Sequence, residues 1–180
     1  MSEKQQNPWI EGLQTIGLSV VLALGIRQFV AEARFIPSGS MIPTLQIDDR
    51  LVVEKISYRF NPPERGDIIV FQAPQSALDA VGSTSQDAYI KRVVGLPGET
   101  VEIKNGKVFI DDVALEEEYI QAPPTYTWGP QTVPDDEYLV LGDNRNSSSD
   151  GHVWGFLPRE SIIGKAVVRF WPPQRIGGLE

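Results

Sequence analysis

The pattern of apolar positions begins with one long run near the N-terminus. Residues 1–12 are polar, whereas residues 13–31 are mostly apolar, with Gln14, Arg27 and Gln28 as the large polar residues. A helix needs about 20 predominantly apolar residues to cross a bilayer. The pattern therefore predicts a transmembrane anchor over residues 13–31 and a cytoplasmic N-terminal tail over residues 1–12.

Two other interpretations of this run remain open. A cleavable signal peptide begins with a cationic stretch, but here Lys4 is offset by Glu3 and Glu11. A helix buried in the fold or lying on a surface also fits the pattern. The anchor is favoured because an Arg near a helix end, such as Arg27, can extend its charge to the lipid head groups.

After residue 35 the pattern changes to short apolar runs separated by turns. Two of them, residues 100–104 and 107–111, flank Asn105-Gly106, the preferred pair for a two-residue hairpin turn. The others lie at residues 49–55, 66–71, 88–94, 138–141 and 163–170. The pattern predicts a mainly β domain of antiparallel sheets in a barrel-like or sandwich fold.

Two polar stretches interrupt the predicted strands. Residues 73–87 are rich in Ser, Asp and Gln and predict a flexible loop. Residues 112–135 follow the hairpin and predict, together with it, a small insert. We therefore expect a main β domain from residues 35–100 and 138–175, and a β-hairpin insert from residues 101–137.

Composition narrows the possible chemistry. The 180 residues include 24 acidic and 16 basic side chains, and the net charge of −8 argues against nucleic-acid binding. The absence of Cys excludes thiolate metal sites and Cys nucleophiles. The single His152 excludes a multi-His metal site. We expect no metal and no cofactor, and a nucleophile that is Ser, Thr, Lys or a carboxylate, with a Lys or carboxylate base.

The first candidate segment is PSGSMIPTL at residues 37–45. Two prolines bracket Ser-Gly-Ser, which predicts an extended backbone. Such a loop can present a hydroxyl and a backbone N–H together, as a nucleophile and an oxyanion donor require. An ordinary linker between the anchor and the domain is the alternative.

The second candidate segment is YIKRVV at residues 89–94. Side chains alternate along a strand, so Lys91 and Arg92 lie on opposite faces and one of them must point with apolar neighbours. A desolvated lysine has a lowered pKa and, when neutral, can accept a proton from a serine. An edge strand with two solvated cations is the alternative.

The third candidate segment is the polar loop over residues 141–158. It contains Gly-Asp-Asn-Arg at residues 142–145, Ser-x-Asp at residues 148–150, and then Trp-Gly. A solvated surface loop also fits this composition, but the order of residues is unusually specific for one.

Taken together, these segments resemble type I signal peptidases (leader peptidases), which are serine/lysine endopeptidases. The resemblance runs from about residue 13 to residue 170 and includes the apolar segment. It depends on four motifs in family order: PSGSMIPTL (37–45), RGDIIVF (65–71), YIKRVVGLPG (89–98) and GDNR…SSD (142–150).

The resemblance implies the catalytic residues. Ser40 corresponds to the nucleophile and Lys91 to the general base. The hydroxyl of Ser38 and the backbone N–H of Ser40 correspond to the oxyanion donors.

The resemblance also implies supporting residues on the polar loop. Ser148 corresponds to the hydroxyl that orients the lysine amine. Asp150 and the pair Asp143 and Arg145 correspond to groups that hold the geometry of the site. We expect Arg92 to pair with Asp143 and so to keep strand and loop in register.

The chain departs from the family pattern at one position in this loop. The family commonly has Asp-Ser-Arg where this chain has Asp150-Gly151-His152. The usual cationic neighbour of Asp150 is therefore replaced, and two alternatives stay open: His152 substitutes for it, or His152 is solvated and the partner of Asp150 lies elsewhere. The insert is short, which is similar to the minimal, single-anchor branch of the family.

The resemblance implies a signal-peptidase/LexA-like barrel-type β fold behind one transmembrane helix. The expected partners are preprotein signal peptides with Ala-x-Ala-like cleavage sites, bound by strand addition, and the lipid bilayer, contacted by Phe35, Ile36 and Met41. The expected location is a bacterial plasma membrane or a thylakoid membrane, single-pass, with the catalytic domain on the extracytoplasmic or lumenal side. The alternatives are a self-cleaving LexA-type regulator and a non-catalytic membrane-anchored β module.

Overall fold

The computed structural model describes residues 8–85 and 87–179. It begins with helix α1 (Pro8–Phe29), whose apolar side chains are exposed. Within it, Trp9–Phe29 is long and apolar enough to cross a membrane. The helix starts inside the stretch predicted as a tail, and residues 1–7 of that stretch lie outside the described residues.

Twelve strands occur within the described residues, and their bounds in chain order are β1 (Ala31–Phe35), β2 (Arg50–Glu54), β3 (Ile68–Gln72), β4 (Ala88–Gly95), β5 (Thr100–Lys104), β6 (Lys107–Ile110), β7 (Val113–Ala114), β8 (Trp128–Thr132), β9 (Glu137–Leu141), β10 (Leu157–Pro158), β11 (Ile162–Trp171) and β12 (Gly177–Gly178). The main sheet has the order β1-β2-β11-β3-β4-β9-β10, and β12 pairs with β11. A second sheet has the order β7-β6-β5-β8. The strand pairs in both sheets are antiparallel, so the predicted mainly β fold is confirmed.

The second sheet contains the predicted hairpin. Lys104 pairs with Lys107, and the two residues between them, Asn105 and Gly106, both have positive φ. This backbone geometry matches the twist of the flanking strands, which explains the Asn-Gly pair. The hairpin prediction is confirmed, and the structure extends it to four strands over residues 100–132.

The main sheet separates two apolar clusters. One lies under the segment that follows β1 and includes Met41, Leu45 and Leu51. The other includes Phe71 and Trp154 and is covered by two short helices, α2 (Gln75–Val81) and α3 (Gly151–Trp154).

Helix α2 replaces part of the flexible loop that was predicted for residues 73–87, so that prediction was wrong. Ala77 and Leu78 are buried against the second apolar cluster, which holds this segment in place. Seven residues are too few to show a helical period in the sequence.

The bilayer contact predicted for Ile36 and Met41 was also wrong, because both side chains are buried in the first cluster. Phe35 is 53% exposed. The N–H of Ile36 donates to the carbonyl of Asp49, which extends the pairing of β1 with β2 by one residue and keeps the chain against the sheet.

Strand β11 approaches β2 closely at Gly164. A Cβ atom at this position would lie 2.1 Å from the backbone oxygen of Glu54. Backbone cannot give way as a side chain can, so we expect Gly164→Ala to lower the free energy of unfolding by about 1–3 kcal/mol. Urea unfolding of the full chain in detergent, followed by tryptophan fluorescence, measures the change.

Gly178→Ala is the matched control, because a Cβ atom there would meet nothing within 4 Å. Equal stability of the two variants would contradict the assigned approach of β2 and β11.

Candidate active site

The centre of the site is a contact between Ser40 and Lys91. Ser40 lies in the segment after β1, and Lys91 lies in β4. The Lys91 Nζ atom is 2.9 Å from the Ser40 Oγ atom and donates a second hydrogen bond to the Ile90 carbonyl at 2.9 Å. Both residues are buried, Lys91 to 5% exposure. The structure therefore brings together the two residues predicted as nucleophile and base.

Burial changes the proton affinity of this amine. Desolvation lowers the pKa of Lys91 from 10.5 to about 8, and the negative charges of Asp150 and Asp143 oppose part of the decrease. The two carboxylates are not its hydrogen-bond partners. A substantial fraction of the amine is therefore neutral near pH 8, and a neutral amine can accept the hydroxyl proton of a serine.

The backbone around Ser40 forms a turn, not the extended chain that the two prolines predicted. The N–H of Ile42 donates to the Gly39 carbonyl, and that of Leu45 donates to the Met41 carbonyl. The apolar side chains of Met41 and Leu45 are buried, so core packing explains the turn.

Ser38, the predicted oxyanion donor, lies beside Ser40, the predicted nucleophile. The Oγ atoms of Ser38 and Ser40 are 3.4 Å apart, and Ser38 is exposed to a cleft of about 530 Å³. The cleft is lined by residues 37–40 on one side and residues 87–91 on the other, with Asn144, Ser147 and Ser149 at its end.

The polar loop after β9 is hydrogen-bonded to the backbone of the segment that contains Ser40. Asn144 donates its N–H to the Ser40 carbonyl at 3.0 Å and its side-chain amide to the Gly39 carbonyl at 3.1 Å. A Cβ atom on Gly142 would lie 2.5 Å from the Ser40 carbonyl oxygen. A glycine at position 142 is thus needed for the loop to approach the nucleophile.

The predicted pair of Arg92 and Asp143 is present and buried. Arg92 donates to both carboxylate oxygens of Asp143, at 2.8 and 2.7 Å. Thr44 donates its hydroxyl to the same carboxylate at 2.5 Å. The Arg92 guanidinium carbon also lies 4.0 Å from the centre of the Tyr119 ring, a cation–π contact.

Arg145, for which the resemblance implied a supporting role but no particular partner, pairs with Glu117. It donates to both carboxylate oxygens of Glu117, at 2.7 and 2.6 Å, and to the Gly142 carbonyl at 3.1 Å. Asp143 and Arg145 therefore do not pair with each other. They belong to two separate ion pairs, and the second of these joins the loop to the insert.

Asp150 is buried and accepts three hydrogen bonds. The Gly142 N–H donates to one carboxylate oxygen at 2.8 Å. The other oxygen accepts from the His152 N–H at 3.2 Å and lies 2.7 Å from His152 Nδ1. His152 is thus the partner of Asp150, the question that the sequence left open.

The Oγ atom of Ser148 is buried and has no hydrogen-bond partner among the described residues. It lies against Gly142, where a Cβ atom would come within 2.3 Å of it. The orienting bond to the lysine amine that the resemblance implied for Ser148 is therefore not made in this structure.

Several residues of the site were missed by the sequence analysis. Thr44 lies inside the motif at residues 37–45, directly after Pro43. Its hydroxyl, within that motif, was the feature that could have pointed to a supporting role. Asn144 likewise lies within Gly-Asp-Asn-Arg. No motif contains the insert residues Glu117, Tyr119 and Tyr126. Their contacts with Arg145, Arg92 and His152 join segments that are distant in the chain, so the local sequence does not indicate them.

A metal-binding arrangement is not part of the site as described. Within residues 8–85 and 87–179, no three His, Asp or Glu side chains are grouped so that they could hold a metal ion.

Comparison with known proteins gives the family. Residues 9–171 match the family described as signal peptidase, peptidase S26. A signal peptidase I of Leptolyngbya laminosa is 64% identical over 176 residues, which cover 98% of this chain and 86% of that protein. Thylakoidal processing peptidase 1, chloroplastic, of Arabidopsis thaliana is 44% identical over 160 residues, which cover 88% of this chain and 47% of that protein.

A crystal structure of a signal peptidase I from Enterococcus faecalis is 32% identical, and the match covers 58% of this chain and 97% of that one with a TM-score of 0.46. The resemblance inferred from the four motifs is confirmed by the family match and by the identity of 64%. The chain belongs to the signal peptidase family, peptidase S26.

Proposed function

We propose that this chain is a membrane-anchored endopeptidase that removes signal peptides from exported preproteins, with Ser40 as nucleophile and Lys91 as general base. The observation that carries the proposal is the 2.9 Å contact between the buried Lys91 amine and the Ser40 hydroxyl. This is the hydrogen-bond distance that a base needs from the proton it removes.

In the acylation step, the Ser40 Oγ atom attacks the carbonyl carbon of the scissile peptide bond while neutral Lys91 takes the hydroxyl proton. The resulting ammonium gives this proton to the leaving amine as the C–N bond breaks. In deacylation, Lys91 takes a proton from water, whose oxygen attacks the acyl ester, and returns it to Ser40.

The negative oxygen of each tetrahedral intermediate needs hydrogen-bond donors. The Ser40 N–H and the Ser38 hydroxyl are the proposed donors, supported by the 3.4 Å distance between the two Oγ atoms. Arg92, Asp143, Arg145 and Asp150 act indirectly, because they hold the loop that contacts the backbone of Ser40.

The cleft favours a substrate in extended form. Within the described residues, β9 pairs with β4 only from Arg92 to Gly95, whereas Ala88–Lys91 have β3 on one side and the cleft on the other. An extended peptide can add to this free edge as a strand.

A second cavity along this edge offers a place for a side chain of the bound peptide. This cavity of about 200 Å³ adjoins the main cleft and is lined in part by Ile36, Val70, Ala88 and Ile90. This apolar lining favours an apolar side chain of the bound peptide, which agrees with the Ala-x-Ala-like sites expected from the resemblance.

We propose that α1 is the anchor. Its apolar side chains are exposed, Leu13 to 71%. The Thr15 and Ser19 hydroxyls donate to carbonyls one turn earlier in the helix, so these polar groups are satisfied without water. The cyanobacterial and thylakoidal relatives favour a bacterial plasma membrane or a thylakoid membrane, with the catalytic domain on the extracytoplasmic or lumenal side.

Ser40→Ala and Lys91→Met each remove one partner of the proposed dyad. We expect each variant to lose about 10³-fold or more in kcat on a preprotein in detergent, because both groups take part in the same proton transfer. The matched controls, Ser76→Ala on α2 and Lys104→Met on the insert, keep wild-type rates. Full processing by either dyad variant would refute the proposed roles.

The rate of cleavage is expected to rise with pH through a midpoint of about 8. The pKa of Lys91 is lowered to about 8, and only the neutral amine above that pH accepts the serine proton. Initial rates of the full chain from pH 6 to pH 10 measure this profile. Lys91→Arg is expected to be inactive across the range, since guanidinium stays protonated. A flat wild-type profile would contradict a lysine base.

Membrane insertion of α1 is expected to resist extraction by alkaline carbonate. Leu18→Arg combined with Leu22→Arg places two charges in the middle of the helix, at a cost of about 3 kcal/mol each. We expect this double variant to appear in the soluble fraction. Val113→Arg, an equally exposed position on the insert, is the control and stays in the pellet. Retention of the double variant in the membrane would argue against α1 as the anchor.

A further inference from the structure

The residue that holds Asp150 is itself held by the insert. The imidazole ring of His152 is stacked on the ring of Tyr126, with centroids 4.0 Å apart and planes inclined by 15°. Its Nδ1 atom lies 2.7 Å from the Asp150 carboxylate, and the side chain is 19% exposed. One ring thus contacts the insert on its face and the buried carboxylate at its edge.

The surroundings of Asp150 explain why this contact reaches the catalytic pair. The carboxylate accepts the N–H of Gly142, the residue packed against the Ser40 carbonyl. Asp150 is also the stronger of the two negative charges that raise the pKa of Lys91 against the effect of burial. The position of the Asp150 carboxylate and the hydrogen bonds that it accepts therefore affect the pKa of the Lys91 amine.

The charged and titratable groups around these residues are few. Lys91 is near Asp150, Asp143 and the ring of Tyr89, at 5.8 Å from its centre, and Asp87 lines the same cleft. Asp143 is neutralised by the permanent charge of Arg92. Asp150 instead depends on His152 for its side-chain partner.

On the other side of the imidazole, Tyr126 is near Arg145 and Glu117, which form their own ion pair. The hydroxyl of Tyr126 is buried and has no hydrogen-bond partner among the described residues. The ring face of Tyr126, not its hydroxyl, is therefore its contact with the site.

We propose that His152 is a positioning residue for the peptidase reaction. Its imidazole holds the Asp150 carboxylate against the catalytic loop and makes the geometry of the Ser40–Lys91 pair dependent on Tyr126 of the insert. This inference depends on the proposed function, because its effect is exerted on the lysine base.

His152→Phe tests the proposal, since it keeps an aromatic ring on Tyr126 but removes the Nδ1 donor. Without the hydrogen bond from His152, the negative charge of the Asp150 carboxylate acts more strongly on Lys91 and is expected to favour its charged form. The midpoint of the pH profile of kcat/KM then moves upward by about half a pH unit or more, and the rate at pH 7.5 falls by about threefold. The plateau above pH 10 stays within about twofold of the wild type.

Two further variants separate charge from packing. His152→Arg supplies a permanent cation next to Asp150, so its midpoint is expected at or below the wild-type value. Tyr126→Ala removes the stacked ring and is expected to move the midpoint upward, whereas Tyr126→Phe, which removes only the unpartnered hydroxyl, leaves it unchanged.

An unchanged midpoint in His152→Phe would overturn the proposal. A lower plateau or unfolding temperature would not rescue it, because loss of packing alone lowers the amount of active enzyme at every pH. The wild-type profile and Ser40→Ala are measured first. A flat wild-type profile, or cleavage by Ser40→Ala, would refute the proposed function instead, independently of His152.

Discussion

The cost of burying an ammonium group without a hydrogen-bonded carboxylate is the constraint on which this active site depends. Two cations occupy adjacent positions in β4, and the alternation of a strand sends them to opposite faces. Arg92 donates two hydrogen bonds to the Asp143 carboxylate and stays charged. Lys91 meets a serine hydroxyl and a backbone carbonyl, neither of which compensates a positive charge fully. The same strand thus contains one cation held by an ion pair and one amine with a lowered pKa.

The loop after β9 maintains this difference. Asp143 is committed to Arg92, and Asp150 is committed to Gly142 and His152, so each carboxylate is kept out of hydrogen-bonding contact with Lys91 while its field still reaches the amine. Were either carboxylate bonded directly to Lys91, the pKa of the lysine would rise and it would no longer serve as the proposed base. The dense set of polar side chains in this loop therefore serves to separate charges, which accounts for its unusual composition.

The sequence predicted the features that depend on local pattern. The short apolar runs and the Asn-Gly turn predicted the β class and the hairpin. The four motifs predicted that Lys91 acts on Ser40 and that Arg92 pairs with Asp143. Contacts between segments distant in the chain could not be predicted, because nothing local indicates that Glu117 meets Arg145 or that Tyr126 stacks on His152. The burial of Met41 was missed for the related reason that a turn after Ser40, which two prolines did not suggest, folds it into the core.

Two segments of the insert that contains the second sheet differ in how well they can accept additional residues. Its turn at Asp111 and Asp112 is exposed, so chain length can grow there at little cost. The return segment that carries Glu117 and Tyr126 leaves no such freedom, since a shift of one residue would break an ion pair and a ring stack together. Residues added at the outer turn would therefore leave the Glu117–Arg145 pair and the Tyr126–His152 stack in place, whereas residues added to the return segment would disrupt both.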